Sequence, residues 1–80
     1  MSVYVDDCEF ILMHDETFEG FREITVAWMC GEDFGSIRMN CKVGESLRVD
    51  DIHRRDVNNT KLIRVCDILQ ENYLKLVEEA

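Results

Sequence analysis

From Thr60 to Val77 apolar residues recur at a helical period for about five turns, and no other stretch restricts the fold of this chain as tightly. Successive residues step by about 100°, which places Leu62, Val65, Cys66, Leu69, Tyr73, Leu76 and Val77 in one arc of about 120°. An arc of that width is a face that packs on a core, so the rest of the chain has to supply an apolar surface to meet it. Ile63 and Leu74 widen the stripe to about 180°. Ile68 lies about 120° from its centre, among Arg64, Asn72 and Lys75, where a monomer is expected to leave it exposed.

The partner surface reads as β-structure. Val3 to His14 predicts a first strand, with Phe10-Ile11-Leu12-Met13 apolar on both phases. Asp15 to Gly20 reads as a polar loop, and Phe21 to Cys30 as a second strand in which Ile24, Val26, Trp28 and Cys30 share one face. A turn bracketed by Gly31 and Gly35 predicts an antiparallel hairpin with a third strand, Ser36 to Val43, where Ile37, Met39, Cys41 and Val43 alternate with Arg38, Asn40 and Lys42. A tight hairpin at Gly44-Glu45 puts Ser46 and Arg48 on the inward phase, so residues 44–58 read as a connection rather than a fourth strand. Asp56 or Asn58 is expected to cap the helix. The order β-β-β-α, with no internal repeat, linker or proline, predicts one α+β domain over residues 1–80. It is a two-layer sandwich, a three-stranded antiparallel β-meander packed by one long C-terminal α-helix.

Eighty residues support a single core and no second lobe, so a large enclosed active site is not expected. The cysteines at 8, 30, 41 and 66 form no Cys-x-x-Cys pair, which argues against a zinc knuckle or a redox motif and for buried core thiols. The opening residues Met1 to Asp7 lack the basic and apolar runs of an export signal, and no stretch reaches membrane-span length. A soluble, cytoplasmic protein is the expectation. His14-Asp15-Glu16 and Asp50-Asp51-Ile52-His53 set imidazole beside carboxylate, but a strand end and an irregular connection are places where such side chains are ordinarily solvated. No nucleophile–base motif or phosphate loop is present, and Asp33-Phe34-Gly35 lacks every other part of a kinase. Neither an enzyme nor a metal or cofactor protein is expected.

Charge is the more informative signal once it is split by position. Residues 1–35 hold nine carboxylates and one base, Arg22, whereas residues 36–80 hold eight of each sign, so the first half carries the whole net charge of −8. Such a surface repels nucleic acid and attracts a basic one. Alternate residues on one strand face stand about 6.8 Å apart, so Asp7 and Glu9 can present negative charge in a row like a phosphate backbone. In size and charge the chain resembles small acidic phage proteins that block host defence nucleases, the anti-CRISPR and anti-restriction proteins. That resemblance is one of composition, with no shared motif, and it implies a nucleic-acid mimic.

These features predict a protein-interaction module, an inhibitor or regulator that binds the basic surface of a nucleic-acid-handling protein or complex. No direct contact with nucleic acid and no membrane contact is expected. Its partner-binding residues are expected among Asp6, Asp7, Glu9, Asp15, Glu16, Phe18, Glu19, Glu32, Asp33 and Phe34, with the two rings at opposite ends of the second strand. The alternative is a structural homodimer or adaptor with incidental acidity, whose interface is formed by Phe10, Ile11, Met13, Ile63, Ile68 and Leu74.

Overall fold

The structure, a computed structural model, describes residues 2–50, 52 and 59–78. It is α+β: strands β1 (Ser2–Val5), β2 (Cys8–Phe18), β3 (Phe21–Cys30), β4 (Asp33–Lys42) and β5 (Arg48–Val49) form one antiparallel sheet in the order β1-β2-β3-β4-β5. The helix α1 (Thr60–Glu78) covers one face. The expected class and C-terminal helix are therefore present, but the sheet has five strands rather than three.

The first extra strand comes from splitting the expected strand over Val3 to His14. Asp6 adopts a left-handed φ of 53°, a conformation that aspartate tolerates better than most residues, and the Asp6-Asp7 turn folds Ser2–Val5 back beside Cys8–Ile11. The second is β5, whose register sets Val49 opposite Met39 and Arg48 opposite Asn40. A tight Gly44-Glu45 hairpin is indeed not made. A wider loop changes the phase, so that Leu47 and Val49 point inward and are buried. Gln70 on α1 holds this short strand in place of a further neighbour, accepting from the Val49 N–H at 2.8 Å and donating to the Leu47 carbonyl at 2.9 Å.

The long strands extend further than expected because their turns are tighter. Glu19 and Gly20, both at positive φ, make the two-residue turn between β2 and β3, the sign pattern of a type I′ turn. Gly31-Glu32 closes β3 on β4, which leaves Asp33 and Phe34 inside a strand. A bulge at Met13 moves the register from Leu12 opposite Val26 to His14 opposite Thr25. This explains the run apolar on both phases: Phe10 and Leu12 face the helix, Met13 is the inserted residue, and beyond it Asp15 and Thr17 take the helix-side phase.

The expected stripe on α1 packs as read, with Val65, Cys66, Leu69 and Leu76 buried and Leu62, Tyr73 and Val77 packed against them. Ile68 corrects the reading, because it is only 8% exposed. Arg64, one turn earlier on the same flank, reaches Asp6 in the β1–β2 turn at 3.6 Å, so this flank faces the side of the sheet that β1 widens. Asn59 is the cap, its Oδ1 accepting from the Leu62 N–H at 3.0 Å; the expected caps Asp56 and Asn58 lie outside the described residues. The cysteines also differ from expectation. Cys8 and Cys30 stand opposite each other on β2 and β3 and are disulfide-bonded, while Cys66 is a buried thiol and Cys41 a half-buried one.

Candidate docking face

Among the described residues one helix covers one side of the sheet and nothing covers the other, the usual state of a small antiparallel sheet. Register decides what stands on the open side. Tyr4 lies opposite Glu9, Glu9 opposite Met29, and Met29 opposite Phe34, so these four side chains form a row across β1 to β4. At about 4.8 Å per strand the row is about 14 Å long. Tyr4 is 72%, Met29 44% and Phe34 80% exposed, with Glu9 half-buried between Tyr4 and Met29. The Glu9 carboxylate holds the Tyr4 phenol above its ordinary pKa, chiefly through a hydrogen bond and then through its charge.

The Asp6-Asp7 and Gly31-Glu32 turns lie at this same end of the sheet, on either side of the Cys8–Cys30 pair. Asp6 is paired with Arg64 and Asp33 with Lys61. Asp7, Glu9 and Glu32 have no cation within ion-pair distance among the described residues. Part of the imbalance read from the first half of the sequence is thus carried here, by Glu9 within the exposed row and by Asp7 and Glu32 beside it.

The other end of the open face is electrically mixed. Phe18 and Phe21 stand opposite each other there and line a shallow depression with Glu16, Glu19 and Glu23. Glu16 meets His14 at 3.1 Å and Glu23 meets Arg38 at 3.9 Å, while Lys42 and Arg48 occupy the same face. Asp15 is on the helix side. Arg22 grips it with two bonds, Nε to Oδ1 at 2.9 Å and Nη2 to Oδ2 at 2.6 Å, which pulls its carboxyl below the ordinary range.

The expected partner-binding residues therefore separate into two groups. Asp6, Asp7, Glu9, Glu32, Asp33 and Phe34 lie together at one end, and Glu16, Phe18 and Glu19 at the other, with Asp15 on the opposite face in an ion pair. Tyr4 and Met29 stand in the row beside Glu9 although the sequence alone does not single them out. Their only signal is cross-strand register, since each reads locally as an ordinary strand residue. The expected dimer interface is corrected more strongly: Phe10 and Ile68 are core residues at 2% and 8% exposure. The remaining four divide between layers, with Ile11 and Met13 on β2 and Ile63 and Leu74 on α1.

Among the described residues no group of three or more His, Cys, Asp or Glu side chains is placed to hold a metal, and no helix is long and apolar enough to cross a membrane. Asp51 and His53, of the second imidazole–carboxylate stretch, lie outside the described residues. No family model, curated protein or solved structure matches this chain.

Proposed function

We propose that this protein is a small acidic interaction module, an inhibitor or regulator that docks on the basic surface of a nucleic-acid-handling protein and takes the place of nucleic acid there. The observation that carries the reading is the exposed row Tyr4–Glu9–Met29–Phe34, in which Glu9, like Asp7 and Glu32 beside it, meets no cation among the described residues. Rings of this kind serve as interface anchors, while free carboxylates give a basic partner its attraction and speed of encounter. A phage-type anti-defence role is the specific form of this proposal, supported by size and charge.

The test is competition. A captured partner should bind nucleic acid alone and lose that binding as this protein is added, and the complex should weaken as salt rises. A partner that keeps its nucleic acid while bound here would rule out the mimic.

Homodimerisation is the second reading, favoured by Phe18 and Phe21, which are 65% and 54% exposed and adjacent. Sedimentation at micromolar concentration decides it. A cytoplasmic location also belongs with the proposal. Disulfides are rare in that compartment, so alkylation of Cys8 and Cys30 in protein taken directly from cells is the measurement to make.

A further inference from the structure

We infer that the open-face row is a seat for arginine, in which a partner guanidinium pairs with Glu9 and lies against the rings and thioether on either side of it. This rests on the docking reading above and narrows the partner from basic to arginine-bearing. Three features of the row lead there.

Glu9 is a half-buried carboxylate with Tyr4 directly opposite on one neighbouring strand and Met29 directly opposite on the other, and Phe34 follows Met29. A carboxylate has about four lone-pair sites. No cation among the described residues stands within ion-pair distance of Glu9 to take them. The flanking side chains are flat or polarisable and largely exposed, so they offer stacking surface beside a charge.

Guanidinium is the cation that uses both. Its planar fork matches a carboxylate with two parallel bonds and its face stacks on aromatic rings, whereas an ammonium is a compact, strongly hydrated point charge that does neither as well. Asp7 and Glu32, at the tips of the two turns beyond the row, then attract further cations of the same segment.

Nucleic acid and a second copy laid on in register fit poorly. The row contains no basic residue, so a second copy laid face to face in register sets Glu9 against Glu9. Nucleic acid meets like charge.

Two decapeptides of alternating glycine and basic residues, one with arginine and one with lysine, carry equal charge and serve as probes. Titrated at low salt and followed by NMR, the arginine peptide should bind about fivefold or more tightly than the lysine peptide. The largest shifts should fall on Tyr4, Glu9, Met29 and Phe34. Glu9→Gln and Phe34→Ala should each bring the ratio towards one, and Glu71→Gln on the exposed side of the helix should leave it unchanged. Phe34 is four-fifths exposed, so its truncation leaves the core intact.

Equal affinity for the two peptides overturns the arginine seat and leaves acidic docking standing, whereas failure of both peptides to bind at low salt removes both readings. Shifts centred on Phe18 and Phe21, or an arginine preference that survives Glu9→Gln, also overturn the assignment.

Discussion

Gly35 stands near the start of β4, where Trp28 lies across it. A Cβ built there meets the indole Nε1 at 3.0 Å and two ring carbons at 3.1 Å, and the indole is itself only 7% exposed. The ring has little room to retreat, and among the described residues its N–H meets no acceptor. Gly35→Ala should therefore cost about 1–3 kcal/mol, read from the urea midpoint, as overpacking of a filled core does. An unchanged midpoint would mean the indole can move aside. Asp15 and Arg22 illustrate a different residue-scale effect. The fork lowers the Asp15 pKa in the folded chain, so its stabilisation is present above the ordinary carboxylate value near ~3.9 and is lost as pH falls through the lowered folded value. Both side chains are about one-third exposed, which weakens the pair through solvent screening. In Arg22→Gln the rise of stability with pH across the acid range should become shallower, and an identical acid limb would count against the pairing.

Among the elements, α1 depends on how much sheet lies beneath it. Leu69→Ala, at the centre of the stripe, should cost about 2–5 kcal/mol, and Ile68→Ala should fall in the same range although helical phase alone places it outside. A surface position would shift stability by about 0.5 kcal/mol or less, so thermal melts of the two variants show directly whether that flank of the helix is buried. β2 and β3 are joined twice, by their ladder and by Cys8–Cys30. The bridge links residues 22 apart in sequence, and constraining a loop of that size in the unfolded chain is worth about 3 kcal/mol. A reductant should lower the melting temperature of the wild type and leave a Cys8→Ala, Cys30→Ala double variant unmoved. Equal response of both proteins would show that the bridge carries no stability.

At the scale of the whole molecule the charge is polarised rather than merely large. Asp7, Glu9 and Glu32 cluster beside the aromatic row, whereas Glu45, Glu71 and Glu78 are exposed in the balanced half. Changing the first three to lysine should weaken partner binding at least tenfold at low salt, and changing the second three should do much less. The gap should narrow in high salt, since the Debye length falls from about 10 Å at 0.1 M to about 3 Å at 1 M. Circular dichroism of both triple variants establishes that they fold. Equal losses would reduce the acidic end to a solvating surface.

Local pattern was enough for part of this protein. The 3.6-residue period from Thr60 onward fixed the helix and its buried stripe, alternation marked the inward faces of β3 and of β4 as far as Cys41, though not Val43, which lies past the strand and is exposed, and glycines 20 and 31 marked two turns. Each of these depends on residues a few positions apart, which sequence displays directly. The charge imbalance of the first 35 residues was legible for the same reason. What sequence could not display was register, because pairing relates residues far apart and a slip of one position exchanges the two faces of a strand. Tertiary structure alone set Cys8 against Cys30 and aligned Tyr4, Glu9, Met29 and Phe34. It also made an acidic dipeptide into the turn that creates β1, and it buried Ile68, which helical phase alone leaves outside the stripe.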